Sequence, residues 1–223
     1  VDLLEDLNAP LYKVASFEVI DLPLIKYIAQ TKKPMIISTG MANLEEIKEA
    51  VEVAKESGCQ DLALLHCISS YPAPIEESNL LTIPDLAEKF GVISGLSDHT
   101  MGTVVATTSI ALGARVIEKH FTLSRDDKGP DSEFSLEPSE LKKLCKDAKA
   151  AWSSLGKAGY NIKKSDKLTS RRSLYLVKDV KKGEKFTSEN IKSIRPGLGL
   201  MPKYLDVVLQ SKAACDISQG TPL

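Results

Sequence analysis

Two short runs carry residues able to do chemistry together. Gly95-Leu-Ser-Asp-His-Thr100 and Val116-Ile-Glu-Lys-His-Phe121 each hold a histidine where a β-strand can end. Side chains alternate along a strand, so Ser97 and His99 share one face, as do Glu118 and His120. Between the runs, Thr103–Ala114 is long enough for a crossover helix, and Gly113 is its stop signal. A strand, a right-handed crossover and a parallel strand place the two histidines on neighbouring strands, roughly 5 Å apart. One divalent metal can take both imidazoles at that spacing, with Glu118 or water nearby. Two unrelated core histidines are the other reading, and spacing alone leaves both open.

The elements that must position these residues alternate in type. Val1–Leu7 reads as part of an amphipathic helix, Leu11–Ser16 as a strand, and Asp21–Thr31 as a helix with Leu22, Ile25 and Ile28 on its apolar face. Strand Pro34–Ser38, helix Leu44–Ser57 closed by Gly58, and strand Leu62–Cys67 follow. Helix Ile83–Phe90, strands Val92–Leu96 and Arg115–Phe121, and helix Glu140–Leu155 complete the series. Five strands alternating with helices mean a parallel sheet. Polar residues recur at its strand ends: Lys13 and Ser16, Ser38, Ser69 and Tyr71, Ser97 and His99, Glu118 and His120. An open doubly wound sheet concentrates its site near one switch point, whereas a (β/α)8 TIM barrel uses every C-terminal strand end. The reading is therefore α/β: a partial TIM barrel with five of eight strands, about three βα units being expected upstream. On that count the chain as given is a fragment that will not catalyse by itself.

Beyond Gly156 the pattern changes. Residues 157–170 read as a polar linker containing Lys163, Lys164 and Lys167, and residues 171–223 as a small β-rich module. In that module Arg172–Val177 is expected as a strand and Thr187–Ile191 as a short helical turn. Leu205–Leu209 and Ala213–Ile217 complete its β framework, and Arg195 opens a loop rich in Gly and Pro.

The net charge of −1 hides an asymmetry. Residues 1–150 hold 15 Lys+Arg and 24 Asp+Glu, or −9; residues 151–223 hold 14 and 6, or +8. Opposite signs favour docking of the two parts, within a chain or between chains, and a basic part attracts anionic ligands. The basic part has no interleaved aromatics, which argues against nucleic acid as a partner. No apolar run reaches membrane-spanning length and no signal-peptide pattern is present, so no membrane partner is expected. Cys59, Cys67, Cys145 and Cys215 lack CxxC spacing and read as reduced, mostly packed thiols of a cytoplasmic protein. His66, inside an apolar strand, reads as a packed core residue.

The runs GLSDHT and VIEKHF resemble the sialic-acid synthase family, whose members condense phosphoenolpyruvate with an N-acetylated aminosugar. The resemblance covers essentially the whole chain, and the final module resembles the antifreeze-like (SAF) domain appended to those enzymes. Ser69-Ser-Tyr-Pro72 and Asp131-Ser-Glu-Phe-Ser-Leu-Glu-Pro138 look like the pseudaminic acid branch. Ser69 departs from the Asn usual in N-acetylneuraminate synthases. The resemblance implies a transferase in which Lys13, Ser16, Ser38, Ser69 and Ser97 hold phosphoenolpyruvate. Strand-end serines acting as caps and turn formers are the alternative. It further implies that Glu18, Tyr71, Asp131 and Arg195 contact the sugar, Tyr71 and Glu18 being otherwise a packed tyrosine and a surface carboxylate. His99 and His120 would hold Mn²⁺, Mg²⁺ or a similar ion that polarises the sugar aldehyde, with Glu118 handling a proton. A homodimer whose SAF domain covers the partner's barrel is also implied. N-acetylneuraminate or legionaminate synthesis, a metal-dependent aldolase or hydrolase, and a non-catalytic binding module are the competing readings.

Overall fold

A computed structural model of the chain describes residues 1–160 and 170–223. Its contacts divide it into two units, Val1–Gly156 and Lys157–Leu223. Residues 161–169 of the expected linker, Lys163, Lys164 and Lys167 among them, lie outside the described residues.

In the first unit, β1 (Tyr12–Val14), β2 (Met35–Ser38), β3 (Leu62–Cys67), β4 (Ile93–Asp98) and β5 (Val116–Lys119) form one parallel sheet in sequence order. Helix α1 (Asp2–Asp6) precedes β1, and α2 (Leu22–Ala29), α3 (Leu44–Glu56), α4 (Thr82–Phe90) and α5 (Val104–Ala111) each join one strand to the next. The long α6 (Pro138–Leu155) follows β5. One face of each strand is apolar for a reason: Tyr12 and Val14, Met35 and Ile37, and Leu62 and Leu64 alternate towards Ile25 and Ile28 of α2 and Ile47 and Val51 of α3. Leu96 of β4 meets Ile83 and Val105, and Ile117 of β5 packs beside Ala106 and Leu144. Every residue of β3 is buried. Asn43 and Glu46 close a capping box at the start of α3, satisfying its first free amides.

The sheet is strongly curled. Strands spaced ~4.8 Å apart would leave β1 and β5 roughly 19 Å apart in a flat sheet. Yet Lys13 Nζ of β1 stands 3.4 Å from Glu118 Oε2 of β5. The polar face is thus concave, as in part of a barrel wall, and the helices cover the convex face.

Element limits differ from expectation in ways that matter for the site. Ser16 does not end a strand; the chain turns after Val14, and Ser16–Glu18 form one 3-10 turn bonded back to Ala15. β4 runs on to Asp98 and β5 stops at Lys119, so His99 and His120 stand just past their strands. Cys59 and Cys67 are buried, but Cys145, on the solvent side of α6, and Cys215 are exposed, which corrects the expectation of mostly packed thiols.

In the second unit, β6 (Ser173–Leu176) and β7 (Ile191–Ile194) pair antiparallel over a core of Leu174, Leu176, Val180, Phe186, Ile191 and Val208. Bridges Val180–Ile217, Lys185–Lys212 and Tyr175–Pro222 add short β contacts. Thr187–Ile191 forms the expected turn: the Thr187 carbonyl accepts from Asn190 N (3.2 Å) and Ile191 N (3.0 Å), and Asn190 Oδ1 accepts from Thr187 N (2.7 Å). One expectation fails here. Leu205–Leu209 is a helix, not β framework, because the 3-10 turn Pro202–Tyr204 runs straight into it; a five-residue apolar run fits either state.

Candidate active site

Parallel register sets the site's floor. Cys67, Ser97 and Glu118 lie side by side on β3, β4 and β5, with their side chains on the concave face. Ser97 Oγ donates to Glu118 Oε1 (2.7 Å) and lies 3.5 Å from His99 Nε2. Lys13 closes the group from β1 through its contact with Glu118. A polar chain therefore runs Lys13–Glu118–Ser97, with His99 Nε2 alongside it.

The two imidazoles meet as the crossover geometry requires, with ring centroids 5.3 Å apart. His99 Nδ1 is 2.8 Å from the Ile68 carbonyl, which can only accept. The proton therefore sits on Nδ1, and Nε2 keeps its lone pair towards the concave side. Burial pushes the His99 pKa below its ordinary value; the Ile68 bond opposes this and His120 reinforces it. His99 is thus neutral at pH 7, the form that ligates. His120 Nδ1 lies 3.4 Å from Asp131 Oδ2.

Tyr71 and Phe134 wall the histidines. Their rings stand 4.3 Å (Tyr71–His99), 4.9 Å (His120–Phe134) and 5.7 Å (Tyr71–Phe134) apart between centroids. Burial raises the Tyr71 pKa, so its hydroxyl stays protonated. Around the same strand ends, Ser16 Oγ pairs with Ser69 Oγ at 2.8 Å. Among the described residues Ser38 Oγ is buried without a partner, a hydroxyl that calls for water or a ligand atom. Gly40 sits so tightly under this loop that a Cβ there would be 2.7 Å from both the Cys67 carbonyl oxygen and Ser69 Oγ.

The structure thus brings together Lys13, Tyr71, Ser97, His99, Glu118, His120 and Asp131, with Ser16 and Ser69 as a linked pair nearby. Glu18 is exposed on its 3-10 turn, and its side chain makes no hydrogen bond or ion pair with this group among the described residues. Arg195 lies just past β7 in the second unit. His66 is a core residue as read, its Nε2 held 2.8 Å from the Ser78 carbonyl. Three neighbours escaped the sequence reading: Phe134, and the buried pair Asp98 and Lys119. The last two were findable, since an acid and a base occupy the middle of the two histidine-bearing runs.

Among the described residues no three His, Cys, Asp or Glu side chains are grouped to hold an ion. The spacing of the two histidine rings nonetheless meets one requirement for sharing an ion. Metal–nitrogen bonds of ~2.1 Å put two cis imidazole centroids roughly 4.5–5.3 Å apart, and the observed separation is 5.3 Å.

Residues 1–160 match the NeuB family, and residues 171–223 match the SAF domain. The chain belongs to the NeuB family. Among NeuB-type relatives it is 44% identical to a pseudaminic acid synthase of Campylobacter jejuni, over 100% of this chain and 66% of that protein. It is 43% identical to an N,N'-diacetyllegionaminic acid synthase of the same organism, over 90% of this chain and 61% of that protein. The chain thus spans about two-thirds of the length of these NeuB relatives or slightly less. A crystal structure of the spore coat polysaccharide biosynthesis protein SpsE from Bacillus subtilis superposes with a TM-score of 0.67 at 33% identity, covering 100% of this chain and 68% of that one.

Proposed function

We propose that these residues belong to a phosphoenolpyruvate-dependent synthase of the pseudaminic acid type, a transferase. It joins phosphoenolpyruvate to 2,4-diacetamido-2,4,6-trideoxy-altropyranose and releases phosphate. The observation that carries this reading is the polar chain Lys13–Glu118–Ser97 with His99 and His120 alongside: an ammonium for an anionic substrate, next to a carboxylate and two imidazoles.

Lys13, with the hydroxyls of Ser16, Ser38, Ser69 and Ser97, binds and orients the carboxylate and phosphate of phosphoenolpyruvate. Tyr71, Asp131 and Glu18 receive the open-chain sugar. His99 and His120 would hold an ion such as Mn²⁺ or Mg²⁺, which would supply Lewis acidity to the sugar aldehyde. Carbon 3 of the enol bonds to the aldehyde carbon, whose oxygen takes a proton. Water adds at carbon 2, and the carbon–oxygen bond to phosphate breaks. Glu118, held by Ser97 and Lys13, accepts the proton that water gives up. The protein works in the cytoplasm, where free cysteines persist. It works as a homodimer in which Arg195 of one subunit reaches the sugar in the other.

Identity alone separates the two sugar types poorly, so a legionaminate synthase is the second reading. The Ser69-Ser-Tyr-Pro72 and Asp131-Ser-Glu-Phe134 runs favour the first. One assay tests both. Phosphate release by the whole protein should need phosphoenolpyruvate and the altrose-series sugar together, exceed release with the sugars of neuraminate and legionaminate synthases, and vanish in His99→Ala or His120→Ala. Release without sugar points to a hydrolase and ends the proposal. In the same assay, mixing Arg195→Ala with His99→Ala subunits should restore activity; no restoration under confirmed exchange removes the in-trans role.

A further inference from the structure

Asp98 and Lys119 form an ion pair under the site, not in it. They face each other in register on β4 and β5, with Lys119 Nζ 2.8 Å from Asp98 Oδ2. Alternation turns them to the convex side, where their side chains are only 1% and 3% exposed. The pair is flanked in sequence by site residues on both strands: Ser97 and His99 about Asp98, Glu118 and His120 about Lys119.

The pair also seizes the residue after His99. Asp98 Oδ1 accepts from both Thr100 N (2.9 Å) and Thr100 Oγ1 (2.8 Å), while Lys119 Nζ donates to the Thr100 carbonyl. Each hydrogen-bonding group of Thr100 thus has a partner in the pair. His99 lies between two anchored residues, with its own carbonyl held by Ala73 N at 3.0 Å and its ring by Ile68. On the other strand, the carbonyl of His120 accepts from Leu136 N at 2.9 Å. The neighbouring convex positions are apolar, Leu96 and Ile117 among them. An apolar pair would fill this rung without the desolvation that burying two charges incurs. What an ionic rung adds is direction: it is satisfied in one register and one orientation only.

We propose that Asp98 and Lys119 are positioning residues that fix His99 relative to His120 and hold His99 with its proton on Nδ1. The purpose of that spacing rests on the metal reading above; the geometry does not.

His66, bonded to Ser78, is an internal reference for imidazole NMR of ¹⁵N-histidine protein, with the His66, His99 and His120 signals assigned by single His→Gln variants. In the whole protein, Asp98→Leu/Lys119→Met should fold and leave the His66 signals in place. His99 should lose its single Nδ1–H signature, and affinity for added Mn²⁺ should fall roughly 10–100-fold, the usual effect of removing a ligand's support. The KM for phosphoenolpyruvate should hold while kcat falls. If the double variant does not fold, Lys119→Arg carries the same measurements, with a smaller loss expected because the charge is kept. An unchanged His99 signature with Mn²⁺ affinity within twofold of wild type would overturn the proposal, and so would His99 shifts matched by equal shifts at His66. If wild type binds no Mn²⁺ but the His99 signature still depends on the pair, the positioning stands and the metal reading falls.

Discussion

Lys13 and Glu118 lie at the centre of the site, and their side chains are 28% and 39% exposed. Half-exposed ion pairs contribute little to stability, about 0–1 kcal/mol, so Lys13→Met should leave the denaturation midpoint nearly unchanged. It should raise the KM for phosphoenolpyruvate about 10–100-fold, since a hydrogen bond to a charged group is worth ~1.5–3 kcal/mol. Glu118→Gln keeps the size and a Ser97 partner but removes the base; kcat should fall ~10²–10⁴-fold with KM nearly constant. Steady-state kinetics on the two variants check this split, and a pure KM effect in Glu118→Gln would count against proton handling. At this scale much was legible in the sequence, because strand alternation fixes which side chains share a face. The joint placement of Ser97, His99, Glu118 and His120 follows from that parity. Asp131 meeting His120, and Phe134 meeting both imidazoles and Tyr71, did not follow. Both sit in an irregular loop whose path no periodicity encodes.

Among the elements, β4 and β5 must approach closely for the two runs to meet, and Gly95 is what permits it. A Cβ there would overlap the Val116 carbonyl and lie 2.7 Å from Leu65 Cδ2. Neither neighbour is a free side-chain end: one is backbone of the next strand and the other a fully buried leucine. Gly95→Ala should therefore destabilise by about 1–3 kcal/mol or more, as overpacking does. Urea denaturation measures this, and a shift below the error of the method would show that the strands can part without loss. The alternating βα order was readable from apolar periods because each helix of the first unit must cover a sheet face. The second unit was less readable, since its elements are short. At Leu205–Leu209 a segment with two valines follows the turn before it into a helix. The neighbouring turn decided that state against propensity.

For the whole molecule, two buried histidines make stability depend on pH. Burial pushes both His66 and His99 below the ordinary value of 6.5. In acid the unfolded chain takes up their protons before the folded one does, so stability rises with pH across that window. It is fully present above about pH 6.5 and is lost as pH falls through the depressed folded values. Urea curves at pH 7.5 and 5.5 should show this loss, and His66→Gln, which can still donate to Ser78, should reduce it; an equal loss in the variant would assign the effect elsewhere. The charge asymmetry of the two parts was plain in composition, whereas the curl of the sheet appears only when Lys13 reaches Glu118. The strictly sequential strand order has a further consequence, for how the chain is made. Register partners on successive strands, Tyr12 with Met35, Met35 with Leu62, Ala63 with Ile93 and Gly95 with Val116, are 21 to 30 residues apart. Loop-closure entropy at such lengths varies little from one step to the next, so none of β2 to β5 waits for a distant segment to meet the strand before it. Pairing can follow the order of synthesis on the ribosome, each new strand docking on the one before. The candidate site is the exception: it spans Lys13 to His120, and its parts meet only after β5 has been laid down.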